Sequence, residues 1–585
     1  MSSILTIKIH LFIKYFYIST PKPLPYNQLQ NINNLTFTLH FALRATKRPL
    51  CTTFYGKAFG KSDNITIFVG CMRSRAYYTQ RTHTRERPEN TECMLEKLAK
   101  QTAIYGISTI VVRLLSYLLT PIYTRVFGQA VYGIVTDVYA LIPFALVLLS
   151  MGMESSYFRF AAKAEAEGGE AEDINSRKRH LFATTWGATL FTSALFFLVV
   201  ALCAKDVARL MGEAYVGHKE YILMVAAIIF FDVATMIPFS RLREQGKALR
   251  FVALKGCNVV INVTLAIIFQ ATGLFESDFG VGWVFVTNLV ASVATFLLIF
   301  PTTDRTLPRI DRRQLRRILA YSLPLLIGGV AGTANEFIDR QMIKYIIPDD
   351  AMSQLGVYGA ICKIAVVMTL FTQMYRLAAE PFFLSNFSKE QFVESNAAAL
   401  KYFVMFSMMI FLGIALFRDV FALIVGRDFR EGIFILPVIL GGNILAGVWL
   451  NLSFWYKREE KTRFAIYVTF IGLAFTIVMN ILLLPRWGYY GAAWARLIAE
   501  GAMVVVSYYL NRRYFPTPYN VKRMAEYVVL ALALYFFSEW MLSVVGKGIA
   551  MWGINIAIFS TYAAYAVWRE KINLTAMAKS VLKRK

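Results

Sequence analysis

The chain has 585 residues, 57% of them hydrophobic, with 46 Phe and a mean hydropathy of +0.49. Lys and Arg number 62 against 37 Asp and Glu, a formal charge of +25. That composition excludes an ordinary soluble enzyme. Because the positive charge sits in loops and tails between apolar runs, it points to membrane topogenesis and anionic headgroups rather than to nucleic acid.

Residues 1–93 stand apart from the rest of the chain. They mix Pro21, Pro23, Pro25, Asn31, Asn33 and Asn34 with many bases and few acids, and the apolar run 11–18 is interrupted by Lys14. It is too short to span a bilayer, and no small-residue cleavage site comes after it. The stretch MLEKLAKQTAIYGIS from Met94 reads as a cytoplasmic start leading into a first helix. The expectation is that translation begins there and that 1–93 is a disordered or mis-called extension; the rival is a basic, acid-poor targeting peptide. The string from Gly56 to Ser62, GKAFGKS, is one residue short of a phosphate loop and opens no strand-to-helix turn.

Fourteen apolar segments succeed it, at about 102–122, 132–153, 181–204, 221–240, 251–272, 280–300, 318–340, 355–378, 400–417, 432–455, 464–484, 488–510, 525–545 and 549–568. Each is long enough as a helix to cross a hydrocarbon layer about 30 Å thick. Only helices can do so serially, because lipid offers no partner to a free backbone amide. The fold class is therefore all-α and polytopic.

Bases crowd every second gap: Arg177, Lys178 and Arg179; Arg241, Arg243, Lys247 and Arg250; Arg305, Arg309, Arg312, Arg313, Arg316 and Arg317; and so on to the tail from Arg569. The intervening gaps are poorer, with Glu276 and Asp278, Lys344 beside Asp349 and Asp350, Arg486 alone, or Lys547 alone. By the positive-inside rule both ends of the bundle are cytoplasmic and the number of spans is even. Cys51, Cys71, Cys93, Cys203, Cys257 and Cys362 show no CxxC spacing and read as small hydrophobes.

Two echoes point to a six-helix repeat. Tyr132-Gly133 opens the second span as Tyr358-Gly359 opens the eighth, and Arg243-Glu244 comes after the fourth as Arg458-Glu459 comes after the tenth. They imply two parallel halves around a central cavity, an N-lobe over 94–300 and a C-lobe over 301–512, with accessory helices over 513–568 and a basic tail over 569–585. No loop is long enough for a catalytic domain, and there is neither an ATP-hydrolysing motif nor an HExxH zinc motif. No enzymatic activity and no metal or cofactor is expected, so transport would draw on a proton or sodium gradient, the membrane potential or the substrate's own gradient.

An ionisable group at membrane depth costs at least about 2.5–3.5 kcal/mol, so each should face a partner, water or substrate. In the first span Arg113 lies in one stripe with Thr109, Ser116 and Thr120 and should line the interior. Arg241 and Arg376, near cytoplasmic ends, are expected to snorkel. The seventh span carries Glu336, Asp339 and Arg340 at i, i+3 and i+4; the last two could form an interfacial pair, while Glu336 lies deeper. Arg496 and Glu500, at i and i+4, have the spacing of an intrahelical salt bridge. Asp137, Asp232 and Lys363 lie singly and need partners, and Asn443 and Asn451 are as suited to joining helices as to holding ligands. A cavity whose deepest charge is arginine suits an anion, since guanidinium matches phosphate bidentately.

From Met94 onward the chain resembles the bacterial polysaccharide-biosynthesis membrane proteins, the O-antigen and exopolysaccharide flippases of the MOP superfamily. The resemblance rests on AKQTAIYGISTIVVRLLSYLLTPIYTRVFGQAVYGIV, on EFIDRQMIKYIIPDDAMSQLGVYGAICKIA, on RLAAEPFF and on PRWGYYGAAWARLIAE. It implies two six-helix lobes with two extra C-terminal helices, and alternating access for an undecaprenyl-diphosphate-linked oligosaccharide in a bacterial inner membrane. It also implies a polysaccharide polymerase and glycosyltransferases as partners, and no nucleic acid. On that resemblance Arg113, Thr109, Ser116 and Arg340 would meet the diphosphate, and Glu336, Asp339 and Asp232 would serve coupling or gating. The alternatives are a MATE-type drug exporter, which would want carboxylates to dominate its cavity, and an enzymatic or non-transporting component of polysaccharide assembly.

Overall fold

The computed structural model describes residues 117–303, 306–384 and 388–571. Among these the chain is almost wholly helical. After α1 (Leu119–Val126), the end of the first expected span, come α2 (Gln129–Ser150), α3 (Met153–Ala166) and α4 (Ala171–Leu202). Next are the short α5 (Ala204–Met211), α6 (Lys219–Glu244), α7 (Ala248–Ala271) and α8 (Gly282–Ile299). The second half holds α9 (Arg312–Ile346), α10 (Ala351–Ile364), α11 (Val366–Leu384), α12 (Lys389–Leu416) and α13 (Arg418–Phe421). It closes with α14 (Leu436–Leu452), α15 (Phe454–Arg458), α16 (Arg463–Tyr514), α17 (Val521–Val545) and α18 (Ile549–Arg569).

Eleven helices among the described residues are long and apolar enough to cross a membrane, or twelve if α10 and α11, bent by 48° at their junction, form one span. The 52-residue α16 is two spans. Gly488 inside it has φ 54° and ψ −140°, which no helix contains and glycine adopts without a Cβ penalty. A straight helix would set Gly472 and Met503 about 46 Å apart, yet a Cβ added at Gly472 would lie 2.2 Å from Met503 Sδ. The chain therefore doubles back at Pro485–Gly488, as expected between the eleventh and twelfth spans. The first expected span lies mostly outside the described residues.

The N-terminal helices α4, α6, α7 and α8 pack on one another, and α9, α12, α14 and α16 do the same. The two groups meet along α2, which packs against α9 and α10. That seam is made of glycine. A Cβ on Gly356 would sit 2.0 Å from the Gln129 carbonyl oxygen, one on Gly133 2.0 Å from that of Met352, and one on Gly426 1.8 Å from that of Thr124. Small residues admit such backbone contact between membrane helices. The Tyr-Gly echo thus marks the two helices that touch across the seam. Gly356→Leu is expected to destabilise the protein by about 3 kcal/mol, the upper end for overpacking, because the obstructing atom is backbone. A melting temperature unchanged in detergent would contradict this seam.

The accessory pair α17 and α18 docks on α12. Its outward face, including Val529, Phe536, Trp540 and Ile556, is exposed and apolar, as lipid contact requires. Beyond the end of α18, Glu570 joins the pair to α12 through Lys401 and accepts hydrogen bonds from Tyr402 (3.0 Å) and Tyr527 (2.6 Å). Burial disfavours its charge, but the hydrogen bonds from Lys401 and Tyr527 outweigh burial and hold the carboxyl below its ordinary value of 4.5. A depressed carboxylate contributes stability that is present above the unfolded value and lost as pH falls through the folded one. Glu570→Gln should lower stability at neutral pH and flatten its decline below about pH 4.5; a variant with the wild-type acid profile would contradict this.

Candidate functional site

The helical spacing of Glu336, Asp339 and Arg340 puts all three on neighbouring positions of α9, where α10 and α16 pack against it. Asp339 is only 1% exposed. Its Oδ2 accepts from the Tyr358 hydroxyl at 2.8 Å and lies 3.9 Å from Arg496 Nη1, while Arg340 Nη1 lies 3.9 Å from its Oδ1. The Arg340 guanidinium also donates to the Glu336 carbonyl at 2.6 Å, and Arg496 Nη2 reaches Asn443 Oδ1 at 3.5 Å. One carboxylate thus orients two arginines from different helices.

This arrangement corrects two expectations. Asp339 and Arg340 are not an interfacial pair but part of a buried network. Arg496 pairs with Asp339 across helices, and no ion pair links it to Glu500 among the described residues. The reason is tertiary: α16 turns Arg496 toward α9, and Tyr358 completes a better-satisfied acceptor than Glu500 offers. Glu500 Oε2 is buried without a hydrogen-bond partner among the described residues. It lines a small cleft with Asn335, Glu336, Asp339, Thr476, Arg496 and Ala499.

Lys363 stands beside this network at the end of α10, where the eighth span bends. It is exposed although it lies at mid-span, with its ammonium 5.3 Å from the centre of the Tyr117 ring and close enough to Arg340 for their charges to interact. Arg340, Arg496 and Lys363 therefore form a cationic group on the C-terminal half, of which Lys363 is the exposed member.

A second buried charge group crosses the seam. Asp137 on α2 is 1% exposed; it accepts from Lys344 Nζ (2.6 Å) and from the Tyr215 hydroxyl (2.6 Å) on one oxygen, and from Gln341 on the other. The Lys344 ammonium also lies 4.8 Å from the Tyr215 ring centre. Sequence reading placed Asp137 without a partner and Lys344 in a loop; 207 residues separate them, so only the fold joins them. The one local signal was that Gln341 and Lys344 are i, i+3 on one face of α9.

In the N-terminal half, Asp232 accepts from Ser292 at 2.8 Å, and Lys255 is the cation whose charge reaches it. Asn258 and Thr295 are joined at 2.9 Å on the neighbouring helices. Arg241 does not snorkel: it is buried, donates to the Thr303 carbonyl at 3.0 Å and lies over the Phe182 ring at 4.4 Å. Arg376 is exposed and pairs with Glu380. Asn451 bonds Tyr375 and Asn443 approaches the Ala365 carbonyl, so both join helices. Thr109, Arg113 and Ser116 lie outside the described residues. Among the described residues no cluster of three or more His, Cys, Asp or Glu could hold a metal ion.

Comparison with known proteins places this geometry. Residues 98–387 match the model of a family described as polysaccharide biosynthesis protein. The capsular polysaccharide biosynthesis protein CapF of Staphylococcus aureus is 20% identical over 318 residues, covering 51% of this chain and 76% of its own length. A protein named Probable low-salt glycan biosynthesis flippase Agl15, from Haloferax volcanii, is 20% identical over 229 residues, 38% of this chain. That match spans about half, 48%, of the archaeal protein's length. Among solved structures, the lipid II flippase MurJ in an inward closed conformation superposes with a TM-score of 0.64 at 14% identity, over 80% of this chain and all of that one. An inward-facing multidrug resistance MATE transporter of the MOP superfamily gives 0.55 at 16% identity, over 72% of this chain and 98% of that one.

Proposed function

We propose that this chain, whose residues 98–387 match the polysaccharide biosynthesis protein family and whose fold is that of the MurJ and MATE transporters, flips a lipid-linked oligosaccharide across a bacterial inner membrane. The carrier is an undecaprenyl diphosphate, the bundle ends are cytoplasmic, and the glycan passes through the space between the lobes while its lipid tail stays in the bilayer. One observation carries this reading. Lys363 is exposed at mid-span beside Arg340 and Arg496, and a cation held at that depth is costly unless an anion meets it. Guanidinium and ammonium groups grouped around a single oriented carboxylate fit a diphosphate by charge and hydrogen bonding.

The seam supports alternating access. The outer part of the eighth span, α10, packs backbone to backbone on α2, whereas its inner part, α11, packs on α12, α14 and α15. A molecule shut outside and parted inside would load from the cytoplasm. Outward opening would then separate α2 from α9 and α10 and break the Asp137–Lys344 pair. Glu336, Asp339 and Glu500 would supply coupling to a proton or sodium gradient, and Arg113, Thr109 and Ser116 would complete the substrate surface from the first span.

The test is made in cells lacking the gene and complemented with variants at matched abundance. Loss of surface glycan with accumulation of the diphosphate-linked precursor supports the proposal. Normal surface glycan, or accumulation of fully polymerised unligated glycan, would count against it and favour an enzymatic component.

A further inference from the structure

The segment joining the two halves carries five arginines, Arg309, Arg312, Arg313, Arg316 and Arg317, all exposed. Among the described residues none of their guanidinium groups has an ion pair, in contrast to Lys178 with Glu244 or Lys457 with Glu380. Any basic residue in this gap would satisfy topogenesis. Their placement says more.

The segment is pinned to α4. Arg309 N donates to the Ala183 carbonyl at 3.1 Å and Thr184 Oγ1 donates to Gln314 Oε1 at 2.8 Å. A Cβ on Gly187 would lie 3.2 Å from Arg309 N and from Ile310 Cγ1. Gly187 is six residues, about 9 Å, inside the expected start of that span, so the segment lies at headgroup depth rather than out in the cytosol. It also lies on the lipid side. Gly187, Phe191, Ala194 and Leu198 are spaced by four, three and four, which is one face of a helix, and the last three are exposed. An exposed face containing Phe and Leu is one that lipid covers. Leu307 and Ile310 of the segment are exposed as well, 73% and 41%.

We propose that residues 306–317 bind the phosphates of acidic phospholipids in the cytoplasmic leaflet, with Leu307 and Ile310 entering the acyl boundary and the arginines reaching up to the headgroups. The side assignment rests on the orientation proposed for the bundle; the lipid chemistry does not. Bases near an anionic surface attract it additively, by about fivefold in affinity for each. Because the segment links the lobes, bound lipid would hold the inner end of α9 against α4 while the remainder moves.

The test uses the full chain in nanodiscs of phosphatidylcholine with or without phosphatidylglycerol, so that neither leaflet orientation nor transport enters. Native mass spectrometry and melting temperature are read together. The wild type should retain phosphatidylglycerol and melt higher in its presence. Replacing the five arginines with glutamine should cut retention at least about tenfold and remove the melting shift, while the five-lysine variant should keep most of both. A photoreactive phosphatidylglycerol should label 306–317 in the unmodified protein, which needs no variant to fold. No preference for phosphatidylglycerol over phosphatidylcholine, labelling elsewhere, or displacement by stoichiometric undecaprenyl diphosphate would each overturn the proposal, the last by making the segment a substrate site.

Discussion

Lys344→Met is expected to be far more damaging than the double change Asp137→Asn with Lys344→Met. The single change leaves Asp137, 1% exposed, with only Tyr215 and Gln341 to satisfy a buried charge. Removing one member of a buried ion pair costs about 3–5 kcal/mol, whereas removing both is often close to neutral. The single variant should therefore fall in abundance and melting temperature, and the double variant should recover most of both. Recovery of stability should not restore function. The pair joins α2 to α9 across the seam that, in the proposed orientation, closes the outer side, so its loss should leave that side open more often. Thr136→Cys, placed beside Gly359, would report this as faster labelling by a membrane-impermeant maleimide. Equal stability of the single and double variants would show that the pair does not act as a unit.

Lys363→Gln should behave in the opposite way, losing function without losing stability. Lys363 is an exposed residue whose ammonium makes a ring contact with Tyr117 and lies near Arg340. An ionisable group at this depth costs about 2.5–3.5 kcal/mol unless something offsets it, so neutralising it should leave the melting temperature unchanged or higher. If the group meets a diphosphate, precursor flipping should fall at least tenfold, equivalent to about 1.4 kcal/mol. Lys363→Arg should retain most activity because charge and hydrogen-bonding capacity remain. A Lys363→Gln protein that melts lower yet flips normally would assign this lysine to structure.

The membrane ladder was legible in the sequence because its signal is local. Length and apolarity of each run are enough to place α2, α4, α6, α7, α8, α9, α12, α17 and α18 where spans were expected, and Pro485 with Gly488 marked the reversal in α16. The Tyr-Gly echo was legible too, although its meaning was not: Gly133, Gly356 and Gly359 matter because α2 and α10 touch, which no local pattern states. Partners across long sequence distances were hidden for the same reason. Asp137 needed Lys344, Asp339 needed Tyr358 and Arg496, and Arg241 needed Thr303 and Phe182. Local spacing even pointed the wrong way for Arg496, whose i+4 neighbour Glu500 is not the carboxylate it pairs with. The linker arginines were visible as charge, but only the contact of Arg309 with Ala183 and Gly187 sets their depth and side.

Flipping itself can be measured as leaflet exchange by the purified protein in liposomes, with undecaprenyl-diphosphate-linked oligosaccharide labelled and accessible to an external enzyme only in the outer leaflet. Exchange should run well above that of protein-free vesicles, be reduced at least tenfold by Lys363→Gln and be preserved by Lys363→Arg. Exchange no faster than in protein-free vesicles, or movement of a cationic drug in its place, would contradict a lipid-linked glycan flippase.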